Sequence, residues 1–157
     1  MGYTRPRRTA AFAVMVGAAT VHAADPTSTV FWSAEALQQA EARAKAAVDP
    51  TFHRGVERLL DSATVIYRDG PSEAEAHTDR ADFITVREGR GSIVVGGTIV
   101  EGRATAPGEI RGKAIEGGQR YDIKAGDALF VPVNVAHQFF VDQGGHFVVM
   151  IVKVVPR

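Results

Sequence analysis

The sequence predicts an all-β fold, a small barrel or sandwich preceded by one short helix. Three observations predict it. Beyond Pro50, short runs rich in Val, Ile, Phe, Tyr and Thr alternate with turns built from Gly, Pro and Asp. Helical periodicity is confined to one Ala-rich stretch before Pro50. The chain has 157 residues, 45% of them apolar, which suits one domain with a modest core.

Residues 1–23 read as a signal peptide. Arg5, Arg7 and Arg8 make a positive start, and TAAFAVMVGAATV follows as an apolar run. That run is too short to cross a bilayer, which takes about 20 residues. Val21-His22-Ala23 offers small residues for cleavage after Ala23, and the Arg7-Arg8 pair is also compatible with twin-arginine export. A periplasmic or secreted protein without membrane attachment after cleavage is therefore expected. The full chain has no net charge, but without its first 23 residues 15 basic side chains face 18 acidic ones. A weakly acidic chain gives no electrostatic ground for a nucleic-acid partner. There is no cysteine, so disulfides, thiol catalysis and thiolate ligands are excluded. Any metal site must be built from histidine, carboxylate and water.

Residues 24–50 form an extension and the helix. Asp25 to Trp32 is a polar lead-in, and Ser33 can cap SAEALQQAEARAKAAV. Leu37, Ala40, Ala44 and Ala47/Val48 recur at helical spacing until Asp49-Pro50 ends the helix. Residues 51–157 form the barrel domain, with strands expected at ATVIYR, DFITVR, SIVVGGTIV, RYDIK, ALFVPV, HQFFV and FVVMIVKVV. Turns are expected at Glu88-Gly89 and elsewhere, and Gly96-Gly97 predicts a hairpin between SIVV and TIV. The last run is the most apolar and predicts a central strand, whereas GRATAPGEIRGKAIEGG reads as a long loop beside the site. Exposed barrel edges predict a homodimer.

Two stretches carry the chemistry, GPSEAEAHTDRADFITVREGRGSIVVGG and GDALFVPVNVAHQFF. Alternation along a strand puts Asp82, Ile84 and Val86 on one face, and His77 and Asp79 share a face with each other on an extended approach. His137, Phe139 and Val141 share a face in the later strand. A barrel turning both faces inward would gather His77, Asp82 and His137 around one point, with Asp79 as a possible fourth. Imidazole and carboxylate suit Fe, Mn, Ni, Zn or Cu. The alternative is that each histidine is a surface or hydrogen-bonded core residue and that the acids are loop residues near Arg80. Tyr67, Arg68, Gln138 and Lys153 are expected as surface or satisfied barrel residues, His53 as a surface residue and His146 as a turn residue. No Ser/His/Asp motif, phosphate-cradling loop or dinucleotide fingerprint is present.

These stretches resemble the two signature motifs of the cupin superfamily over roughly Ala63 to Lys153. Gly70 and His77 approximate the start of the first motif, and Asp82 stands with six residues between it and Gly89 where the family has Glu. Gly126, Pro132 and His137 match the second motif in register. Asp79 replaces the family's second His, and Asn134 replaces a Gly, a mild change because Asn tolerates a left-handed turn. Val141 replaces the terminal Asn. The wider string from Ala76 to His137 is similar to a group of small exported single-domain cupins.

The resemblance implies a double-stranded β-helix, or jelly-roll, barrel. It implies a divalent metal held by His77, Asp82 and His137, with a small molecule bound in the barrel. A metal-dependent oxygenase or isomerase would follow, with no individual catalytic residue assigned. The departures from the first motif favour an alternative, a non-catalytic ligand-binding or scaffold barrel.

Overall fold

The computed structural model describes residues 27–156, so the signal-peptide reading falls outside the described residues. The helix, α1, spans Ala34–Ala46, and the Ser33 hydroxyl accepts a hydrogen bond from the Ala36 N–H at 3.2 Å. Ala40 and Ala44 are buried against Val65, Tyr67 and Val148. Such small side chains let the helix lie close to the sheet. At Gly55 the approach is so tight that a Cβ would sit 1.7 Å from the Ala44 carbonyl oxygen. Arg43–Glu57 at 2.7 Å and Arg87–Glu41 at 2.9 Å pin the helix at its rim.

Twelve strands follow among the described residues: β1 Arg54–Arg58, β2 Ala63–Arg68, β3 Ala74–His77, β4 Ala81–Val95, β5 Thr98–Val100 and β6 Arg103–Ala106. After them come β7 Glu109–Gly112, β8 Ala114–Glu116, β9 Gln119–Lys124, β10 Ala128–Val131, β11 His137–Phe140 and β12 Phe147–Val154. Main-sheet order is β1-β2-β12-β4-β11-β3-β7-β6, with β9 and β10 also pairing with β4. All pairings are antiparallel, and the long strand β4 joins two halves of the sheet. Its first part pairs with β12 and β10, its second with β11 and β9. The architecture is a curled half-barrel, jelly-roll-like, with one short N-terminal helix, as the sequence predicts.

Where the chain was expected to turn at Glu88-Gly89, β4 instead continues through a bend. Gly89 has φ +73° and its absent Cβ would meet the His146 carbonyl oxygen at 2.1 Å, so only glycine fits there. The register with β12 shifts beside it, as at a β-bulge. A second departure concerns Gly96-Gly97. These residues do not close a hairpin between SIVV and TIV; β5 pairs with β8 in a separate two-stranded sheet. The irregular segment expected as a loop contains β6, β7 and β8. β12 is central, between β2 and β4, as its apolar sequence predicts.

Alternation decides what faces inward. Ile84, Val86, Ile93, Phe139, Phe147, Val149 and Ile151 form the main apolar cluster, each contributing about 1.5–3 kcal/mol by burial. On the same strands the inward positions beyond that cluster are polar: Asp82 faces Lys153 in register, Glu75 faces both Arg111 and His137, and His77 faces Glu109.

A candidate metal centre inside the half-barrel

β3 is the short strand AEAH, in which Glu75 and His77 point to the same side. It is held by β7 on one edge and touches β11 at His137 on the other. The turn before β11 docks on it directly, because the Asn134 N–H donates to the His77 carbonyl at 2.7 Å. Asn134 has φ +62°, the left-handed conformation that its replacement of glycine anticipates. This turn therefore sets His137 against β3.

Glu75, His77 and His137 are buried, and one ligand-type atom from each lies within 4.8 Å of the others. The cluster can coordinate a divalent metal ion. His137 is fully buried, with Nε2 3.2 Å from Glu75 Oε1 and 3.5 Å from Asp82 Oδ2. His77 Nε2 is 3.2 Å from Asp82 Oδ2, so the Asp82 carboxylate lies between the two rings. Lys153 reaches in from β12, its Nζ 2.6 Å from Asp82 Oδ1 and 2.7 Å from His77 Nε2.

Proximity here is not the same as hydrogen bonding. His77 Nδ1, both Asp82 oxygens and His137 Nε2 are buried without a well-directed hydrogen bond, although each has an ionic neighbour within 3.5 Å. Unsatisfied buried lone pairs are costly, and a cation among them removes that cost. The donor set of imidazole and carboxylate fits a divalent transition metal. An ammonium can only donate, so Lys153 beside His77 Nε2 leaves that nitrogen as the acceptor and the ring proton on Nδ1. Nδ1 faces Glu109 Oε1 at 2.9 Å, the partner arrangement that orients a ligating histidine.

The charges reinforce each other. Burial alone would lower the His137 pKa, but Asp82 and Glu75 overcome it and raise the value to about 9. Burial would raise the Glu75 pKa, yet His137, Arg111 and His77 hold it well below the usual carboxylate range. Asp82 behaves alike: burial opposes, and His137, His77 and Lys153 prevail, keeping it ionised.

The structure brings His77, Asp82 and His137 into one cluster. Asp79 stands apart, exposed in the turn after β3 and paired with Arg80 at 3.0 Å. That turn carries it off the strand, so strand parity does not apply to it. His53 is exposed beside Asp69, and His146 stacks on Tyr67, outside the barrel interior. Gln138 is a satisfied core residue, its amide donating to the Ser72 carbonyl at 2.8 Å. Lys153 and Arg68 are not the surface or satisfied residues expected; Lys153 enters the cluster, and Arg68 is buried with its Nε unpartnered. Sequence reasoning also missed Glu75, Glu109 and Arg111. Glu75 carried a usable signal, since it precedes His77 by two residues and shares its face.

No family model matches the sequence, and a comparison with curated proteins finds no match. Among solved structures the chain is similar to hydroquinone 1,2-dioxygenase from Sphingomonas sp. TTNP3, at 16% identity, 71% of this chain, 70% of that chain and TM-score 0.49. It is similar to the polyketide cyclase RemF from Streptomyces resistomycificus, at 17% identity, 67% of both chains and TM-score 0.47. A Klebsiella pneumoniae protein with a double-stranded β-helix domain gives 17% identity, 71% of this chain, 86% of that chain and TM-score 0.48.

Proposed function

We propose that the chain is an exported, single-domain cupin-type protein that acts on a small molecule in its barrel as a metal-dependent oxygenase or isomerase. His77, His137 and a carboxylate, Glu75 or Asp82, would hold the divalent metal. The observation that carries this reading is the buried convergence of two imidazoles and two carboxylates, in which both Asp82 oxygens and His137 Nε2 lack directed hydrogen bonds. A bound divalent ion supplies Lewis-acid or redox chemistry in such a site.

The chain's own side chains prepare the pocket. Glu109 orients His77, and Arg111 binds both Glu75 and Glu109, at 2.5 and 3.2 Å, so the paired strands β3 and β7 fix the imidazole and the carboxylate together. Phe139 packs edge-on against the buried His137 ring. Lys153 places a positive charge beside Asp82 and His77, where it can stabilise an anionic ligand or charge developing on one.

A second reading rests on Lys153 itself. Its ammonium already fills a cation's place between Asp82 and His77, which suits a non-catalytic barrel that binds a ligand without metal. Elemental analysis of protein purified without a polyhistidine tag separates the two. Near-stoichiometric Fe, Mn, Ni, Zn or Cu that disappears in His137→Ala supports the enzyme reading. Metal-free protein that takes up none on reconstitution leaves the binding barrel.

A further inference from the structure

Four arginines gather beside the metal centre, and only Arg111 is bound to its carboxylates. Arg54 on β1 pairs in register with Arg68 on β2, and Arg103 on β6 pairs with Arg111 on β7. β1 and β6 are the two ends of the strand order, so curling the sheet brings these pairs together across one cleft. The cleft encloses about 400 Å³, and its lining includes the four arginines, Phe52 and Glu73. Four guanidiniums thus face one carboxylate.

Their partners are unequal. Arg111 is engaged by Glu75 and Glu109, and Arg103 has Glu73 only at 4.0 Å. Arg68 is 3% exposed, its Nε has no hydrogen bond, and it makes no ion pair among the described residues. Its guanidinium lies 5.6 Å from the centre of the Phe139 ring, a weak substitute for a counter-charge. Burial lowers its pKa to about 10, with Glu75 opposing and Arg54 and Arg111 adding to the fall. A buried guanidinium without a partner is costly to keep, and an anion would relieve it.

We infer that this cleft binds a small organic anion, its carboxylate held by Arg68 with Arg54 and Arg103. A planar guanidinium matches a carboxylate through two parallel hydrogen bonds, and the exposed Phe52 ring offers an apolar surface for the ligand's body. Arg111 binds Glu75, whose other oxygen lies 3.2 Å from His137 Nε2, so the cleft adjoins the metal centre. This names the ligand class for the function proposed above and rests on that reading only for chemistry after binding.

Calorimetric titration of EDTA-treated protein with malonate, succinate, benzoate and inorganic phosphate tests it. At least one carboxylate should bind saturably, about tenfold or more weakly in both Arg68→Met and Arg103→Gln. Arg103 is largely exposed, so its variant keeps the test valid if Arg68→Met fails to fold. No saturable carboxylate binding up to about 10 mM, or affinity unchanged in Arg103→Gln, overturns the inference. Phosphate binding more tightly than every carboxylate overturns it as well. Metal content is measured separately on untreated protein. Anion binding by a chain that never takes up metal sustains the anion site and ends the enzyme reading.

Discussion

Raising the pH of the chelated protein from about 7 to about 10 should remove a defined part of its stability through His137. The ring is fully buried and contacts Glu75 and Asp82, and its pKa is raised from an ordinary 6.5 to about 9. A folded-state pKa above the unfolded value stabilises the protein fully below about 6.5. That contribution is lost as pH rises through about 9. The rise from 6.5 to about 9 corresponds to about 3 kcal/mol, or a Tm change of roughly 10 °C for a domain of this size. Thermal melts across this range should be run on wild type and His137→Gln in EDTA. Only the difference between their curves isolates the group. The wild-type curve should fall through about pH 9 relative to the variant. Parallel curves would refute the argument, since they would mean that His137 carries no proton between its carboxylates. Bound metal takes the proton's place, so the alkaline loss should disappear in loaded protein. Apparent metal affinity should then rise by about tenfold per pH unit up to about pH 9.

Lys153→Met should tighten divalent-metal binding by about tenfold or more, because Nζ lies where a cation would approach His77 and Asp82. Competition against a fluorescent chelator measures this, and weaker binding would make Lys153 a support rather than a rival. Glu109→Gln should weaken metal binding by about 10–100-fold without exposing the core, since it removes the partner that orients His77. Equal metal affinity in this variant would count against that orientation. Gly55→Ala should destabilise the protein by about 2 kcal/mol or more in urea titration, because the new Cβ has no room beneath α1. A fold that tolerates it unchanged would mean that the helix can lift off the sheet.

The sequence alone determined features that depend on residues close along the chain. Ser33 caps the helix it precedes, Asn134 takes the left-handed turn, and the runs from Ala63 to Arg68 and Phe147 to Val154 are strands. The motif spacing also pointed to His77 and His137, because each begins or ends a strand whose inward face follows from alternation. Closure of the sheet decided the rest. Lys153 meets His77 across 76 positions, and Glu109 and Arg111 reach the centre because β7 pairs with β3. Likewise, Arg54 and Arg103 share a cleft only because the two ends of the strand order meet. Alternation fixes which side of a strand a residue faces. Pairing register and curvature fix what it faces there, and these depend on the packing of the whole sheet.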